Sequence, residues 1–389
     1  MSTNLIALRK AAVAVKIEAT PGIDAIAGTP ANVDWIGSDC QIQFDQSAVP
    51  NPEMTGSLDR SPAIVGGLRP RLRLMMPLRG SGAEFVAPEW GRLMQCATMV
   101  EDVQGGIVST QLTAGSTNSG TLGVLASATA QAYRGMPISF SAVSGTQPSL
   151  TAISNYTSGR VATFIHTFSP AFSAGLQSTI IANQRYSPTS DEAVFKSCTI
   201  YFYADGMRWR FTGCIGTWSL DLTTGGIGML SFDLVGNFVD YTATALPTGW
   251  NTVIRPTAPR FVAGACRLNG AIARVRQLSV QAGVATVLPE NPEATEGYDP
   301  AVPVERNVAG SLDPLMDTTV SVVRFANFRN GTNMTLGAII GSTVGNRFAI
   351  VLPSIRATAM NPGDRGSLAV DSIGFEADGA DSPVFITAF

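Results

Sequence analysis

Residues 197–234 hold two β-hairpin signatures in succession, and they bind the surrounding chain to an antiparallel sheet. From Ser197, the residues Cys198, Ile200 and Phe202 alternate with Thr199, Tyr201 and Tyr203. Asp205-Gly206 follows, a dipeptide that tolerates positive φ at both central turn positions. Met207, Trp209 and Phe211 then alternate with Arg208 and Arg210. The second hairpin turns at Thr223-Thr224-Gly225-Gly226. Trp218, Leu220 and Leu222 lie before the turn, and Met229, Phe232 and Leu234 after it. Ser219, Asp221, Ser231 and Asp233 fall on the opposite side. A period of two with one apolar face predicts a meander packed on one side and wet on the other.

The same reading extends along the chain. Asp39–Asp45 alternates as a half-buried strand, Gln46–Gly67 is a long loop that keeps apolar residues, and Leu68–Leu78 alternates again. Glu89–Met99 carries Trp90, Leu93, Met94 and Ala97 at helical spacing after Pro88, which suits a helix start. Residues 105–188 are rich in Ser, Thr, Gly and Ala, with short strands at Tyr133–Ala142, Ser149–Tyr156 and Val161–Phe164, and read as a small inserted β-module. Ala243–Pro259, with three prolines, is a connector. Beyond it come a strand at Arg274–Val280, a long loop at Ala282–Val308, a short helix or strand at Val320–Phe328, and strands Phe348–Thr358 and Gly366–Glu376 across a turn at Asn361-Pro362-Gly363. Strand, long loop, strand, helix, hairpin thus occurs twice, which predicts two fused copies of one β-fold. The expected division is residues 1–104 with 185–245 as a first domain, 105–184 as the inserted module, 246–259 as a linker and 260–389 as a second domain.

Only 14% of the 389 residues are charged, while 45% are hydrophobic and mean hydropathy is +0.19. Soluble chains average about 25% charged, so this one hides much of its surface, in a large core or in an obligate oligomer. No apolar run reaches the ~18 residues of a membrane span, and no export signal is evident. Five widely spaced cysteines (Cys40, Cys96, Cys198, Cys214, Cys266) predict reduced thiols and neither a disulfide framework nor a zinc site. A net charge of −3 lacks the basic bias of a nucleic-acid binder.

Candidate chemistry is sparse. No lysine stands in a phosphate-binding loop pattern, and Gly226-Ile227-Gly228 is a turn. A Ser-His-Asp triad would have to use the single histidine, His166. Asp221 and Asp233 are the nearest thing to a hydrolytic carboxylate pair, and a solvated sheet face is the reading preferred for them. Arg208 and Arg210 are expected to pair with Asp221 and Asp233 on adjacent strands, or to face outward. No catalytic, cofactor-binding or metal-binding residue is assigned, no cofactor is expected, and the chain is expected not to be an enzyme.

Three sets of residues carry a resemblance. Lys16-Ile17-Glu18-Ala19-Thr20-Pro21-Gly22, Ala87-Pro88-Glu89-Trp90-Gly91-Arg92-Leu93-Met94, and the run from Ser197 to Gly206 continuing through Phe211-Thr212-Gly213 and Leu230-Ser231-Phe232-Asp233 resemble the tail tube proteins of long-tailed bacteriophages. Tyr133-Arg134-Gly135-Met136 and Val161-Ala162-Thr163 resemble small β-modules attached to phage virion proteins. The resemblance implies a mainly β fold: two tandem β-sandwich or half-barrel tube domains, each with a flanking helix, plus the insert. It implies a structural virion protein, made in the bacterial cytoplasm and located in the tail. Six single domains make a ring in that family, so a tandem duplicate would close with three chains in pseudo-sixfold symmetry. Stacked rings would let double-stranded DNA pass without specific binding. The long loops Gln46–Gly67 and Ala282–Val308 would reach the neighbouring ring. Partners implied are further copies of the chain and the tape measure, tail terminator and distal tail proteins, with no membrane. The alternatives are another virion shell component, decoration or terminator protein, and a carbohydrate-binding β-protein.

Overall fold

The structure, a computed structural model, describes residues 6–7, 9–105, 108–141 and 149–389. Two sets of six strands build its body. The first set is β1 (Ala11–Ile17), β2 (Asp39–Val49), β3 (Ile64–Pro77), β4 (Cys198–Ala204), β5 (Met207–Thr223) and β6 (Met229–Ala243). The second is β7 (Ala265–Leu268), β8 (Gln277–Gln281), β9 (Ala309–Leu312), β10 (Met334–Ile340), β11 (Phe348–Arg365) and β12 (Leu368–Ala377). Hydrogen bonding joins the first set in the order β1-β4-β5-β6-β3-β2. It joins the second in the order β7-β10-β11-β12-β9-β8. Every neighbour is antiparallel.

The two ladders agree in register as well as in order. β4 slips between Cys198 and Ile200 against β5, pairing Cys198 with Cys214 and Ile200 with Phe211. β10 slips in the same place, pairing Met334 with Ile355 and Leu336 with Leu352. Four-residue rows cross the sheets in the same way. Cys40–Leu74–Phe232–Trp218 crosses the first, and Leu278–Leu312–Ile373–Met360 the second. The sets meet where the second half of β5 pairs with β8, Ser219 opposite Gln281 through Thr223 opposite Gln277.

One apolar core runs beneath both ladders and includes Trp90, Trp218, Phe232, Phe348 and Phe375. Burying such rings and aliphatic chains supplies the main driving force, about 25 cal/mol per Å² of apolar surface. Between α1 (Gly91–Gln95) and β4 the chain leaves through Met99–Gln104 and returns through Asn183–Pro188, which pair with each other. The excursion is a closed six-stranded barrel from Val108 to Ile180. Its own core gathers Phe140, Phe164, Phe168 and Phe172. Ala152 and Ile165 seat it on Ile339 and Val351 of the second ladder and on Phe385 of the last strand, Phe385–Ala388, which pairs with β11.

Several expected boundaries move. The helix expected over Glu89–Met99 is a single turn and a half, because Cys96–Thr98 already turns into the next strand. Val320–Phe328 is a helix, α2 (Val320–Arg329). The strand expected from Tyr133 begins at Pro137, and its expected end, Ala142, lies outside the described residues. The Gln46–Gly67 loop is shorter than expected: β2 and β3 run on to Val49 and back to Ile64. Ala282–Val308 contains its own hairpin, Val284–Val287 with Val302–Arg306. No turn forms at Asn361-Pro362-Gly363. β11 continues through it, and the chain reverses at Gly366-Ser367, both at positive φ.

Candidate assembly surfaces

The motif residues near the N-terminus act as clamps. Glu18 is buried where β1 ends, and its carboxylate accepts from Ser197 Oγ at 2.6 Å, Thr199 Oγ1 at 2.9 Å, Gly213 N at 2.8 Å and Gly22 N at 2.8 Å. That ties the Thr20-Pro21-Gly22 turn to the central hairpin. Glu89 binds Arg79 and takes the Arg255 Nε–H at 2.9 Å, fastening the connector to the first ladder. The Trp90 indole donates to Arg79 O at 2.8 Å, and Arg92 donates to Val15 O at 2.6 Å. A side chain at Gly91 would strike the Tyr186 ring. Arg79, Glu89, Arg92 and Arg255 line an open groove of about 800 Å³, but Glu89, Arg79 and Arg255 are spent on one another.

The wet face of the ladders forms one continuous surface, because β5 and β8 bridge it. Arg69, Arg71 and Arg73 follow one another along β3 on this face, and acids offset them: Asp45 lies 3.5 Å from Arg71 and Asp233 stands opposite Arg73. Arg208 and Arg210 are not paired with Asp221 or Asp233 as expected. Arg210 sits opposite Asp240 and binds it bidentately, and it reaches Asp24 at 3.2 Å. Arg208 lies 3.8 Å from Asp240. The reason is register: Asp240 is the direct cross-strand partner, whereas Asp221 lies eleven positions farther along the same strand. Arg210's hydrogen bonds, foremost among the influences, hold the Asp240 carboxyl below its usual range.

Other surfaces lack cover. Among the described residues β2 pairs only with β3, and Ala357–Arg365 of β11 pairs only with β12. The loop between β2 and β3 carries Met54 and Leu58 fully exposed, beside exposed Val49, Ile64 and Val65. The other long loop folds back instead of projecting: Tyr298 lies under the Arg69 guanidinium, 4.3 Å from its ring centre, and Glu296 accepts from Leu68 N at 3.1 Å. α2 is inverted. Its buried side holds Arg324, 3.3 Å from Asp371, which also accepts from Ser321 Oγ at 2.6 Å. Its outer side shows Val322, Val323 and Phe325. A run of exposed apolar side chains on one helix face marks an interaction surface.

The residues weighed for chemistry do not converge. His166 is buried at the barrel's seat, where its Nδ1 shares a 2.7 Å hydrogen bond with Thr151 Oγ1. Asp221 and Asp233 stand on adjacent strands, four rows apart on the wet face. Among the described residues no group of three His, Cys, Asp or Glu is placed to hold a metal ion. Cys198 and Cys214 are buried free thiols directly opposite each other, a juxtaposition that needs both the Asp205-Gly206 turn and the one-residue slip between Cys198 and Ile200, and that cysteine spacing alone did not reveal. No helix is long and apolar enough to cross a membrane among the described residues. Compared with known proteins, residues 9–377 match the family model described as phage tail tube protein. No curated protein matches the chain.

Proposed function

The chain belongs to the phage tail tube protein family, and from that premise we propose that it polymerises into stacked rings whose bore carries double-stranded DNA during ejection. It is a structural tail protein, and the finer reading concerns how it closes. In this reading residues 1–104 with 185–245 form one tube unit and 260–389 a second, joined by 246–259, and three chains complete a ring with pseudo-sixfold symmetry. The observation that carries it is the β5–β8 junction: one chain already joins two like ladders into a continuous sheet with a single wet face. A sheet left open at both ends invites uncontrolled pairing, and a closed ring removes the edges. The wet face would line the bore, where balanced charge lets DNA slide, since a basic wall would hold phosphate. The exposed apolar loop tip would contact the next ring, and the tape measure, terminator and distal tail proteins would meet the ends of the stack. The chain works without cofactor or catalysis, and the host cytoplasm is its place of synthesis.

Negative-stain electron microscopy of the purified, concentrated chain tests this. Rings or hollow tubes with three- or sixfold end views are the expected result. A monodisperse monomer, unchanged by seeding with tail tips, would overturn it.

A further inference from the structure

The seam inside the chain specifies the seam between chains. In the first ladder the row Gln43–Arg71–Val235–Ile215 crosses β2, β3, β6 and β5. In the second, Gln281–Ala309–Glu376–Arg356 crosses β8, β9, β12 and β11. Two separate features give the same alignment. The slipped pair Cys198–Cys214 corresponds to Met334–Ile355, which puts Ile215 with Arg356. Each of the two rows is the last that spans all four strands of its ladder, which puts Ile215 with Arg356 as well. On this alignment Gln43 corresponds to Gln281, and Trp218 to Met360. Ser219, which faces Gln281 across the internal seam, corresponds to Asn361.

We infer that the open edge of β11 pairs antiparallel with the open edge of β2 in a second copy of this chain, Asn361 opposite Gln43, Gly363 opposite Gln41 and Arg365 opposite Asp39. This rests on the ring reading above and adds its register. Backbone polarity agrees. Ala282 N donates to Trp218 O and Thr224 N to Arg276 O, so Trp218, Leu220 and Leu222 turn their backbone groups toward β8. On β11 their counterparts are Met360, Pro362 and Asp364. Asp371 N donates to Pro314 O, away from β11, so the Pro362–Asp371 pair is a non-hydrogen-bonded one and Pro362 turns its nitrogen to the open edge. Side chains agree too. Arg365 and Asp39 bring opposite charges together at one end of the new ladder, and Met360 and Pro362 meet Phe44 and Ile42 on the core face.

Asn361–Gln43 is then a non-hydrogen-bonded pair, whose Cα atoms lie about 4.5 Å apart, close enough for a disulfide. A two-residue slip places the nearest partner beyond the reach of that bond. Both side chains are exposed in the single chain. The test oxidises the double variant Gln43→Cys/Asn361→Cys under assembly conditions, beside the slipped pair Gln41→Cys/Asn361→Cys and the unsubstituted chain, with circular dichroism to check folding. The expected result is a reducible ladder ending at trimer, at least ~10-fold stronger for the opposite pair than for the slipped one. Mixing the two single variants should give only the mixed dimer. Rings seen by microscopy with cross-linking at the slipped pair, or at neither, would overturn the register and leave the ring reading standing. Folded variants that give neither rings nor cross-links would overturn both.

Discussion

At the residue scale, His166 shows how a chemically suggestive side chain is accounted for by its surroundings. It lies where the barrel touches the second ladder, through a bridge to Gly270. Burial first, and the nearby Arg267 charge second, push its pKa down to about 4. An unfolded histidine takes up its proton near ~6.5. The folded chain therefore binds fewer protons between those values, and the contribution of neutral His166 is fully present above pH ~6.5 and drains away as pH falls toward 4. Its full size is about 3 kcal/mol, the free-energy equivalent of the gap between the two pKa values. Thermal melts of the native chain and of His166→Asn, at pH 7 and at pH 4.5, should show the variant losing less stability on acidification than the native chain. Parallel losses would mean that His166 titrates in the fold as it does in the unfolded chain. The sequence could name this histidine as the only candidate base. It could not show that Thr151, fifteen residues earlier, satisfies the ring.

At the element scale, legibility follows how local the determining interaction is. The Asp205-Gly206 hairpin was readable because both turn residues carry their own conformational preference, and they adopt φ of 40° and 97°. Arg208 and Arg210 do not meet Asp221 or Asp233 because the register of the neighbouring strand, which no local signal sets, places Asp240 opposite Arg210 and beside Arg208. α2 was hard to read because its buried face is polar, an Arg324–Asp371 pair in place of an apolar stripe, so periodicity points the wrong way. Pro362 misled most directly: a proline beside glycine reads as a turn, yet an edge strand accepts it where its nitrogen faces no partner. The same position carries a prediction. If the open edge of β11 meets a second copy, Pro362 removes one donor from that seam and keeps the edge from pairing too readily. Pro362→Val restores the donor and should lower the critical concentration for assembly about fivefold, the equivalent of one net hydrogen bond of ~1 kcal/mol. Light scattering across a dilution series reads this directly. An unchanged threshold would place the nitrogen away from any interface.

At the scale of the whole molecule, the chain separates a body that repeats from an insert that does not. The ladders share one core and one wet face, and both open edges belong to them. The barrel has an independent aromatic core and leaves the body through two strands whose ends, Gln104 and Asn183, face each other. The sequence showed the insert by its composition, but closure into a barrel depends on pairing between Leu150–Tyr156 and Val161–Phe164 and on to Ser119–Leu122, which no local signal encodes. None of its strands borders β2 or the open part of β11. Replacing residues 105–182 with Asn-Gly, a two-residue turn suited to a paired strand end, should therefore leave ring formation intact while narrowing the outer outline of the tube. It also uncovers Ile339, Val351 and Phe385, which pack under the barrel, so Ile339→Thr and Val351→Thr belong in the same variant to limit aggregation. The expected outcome is a folded chain of lower melting temperature that still forms rings of the same bore. A folded chain that stays monomeric at concentrations where the parent assembles would place the barrel within the ring contacts, and would move the closing surface from the strand edges to the outside of the body.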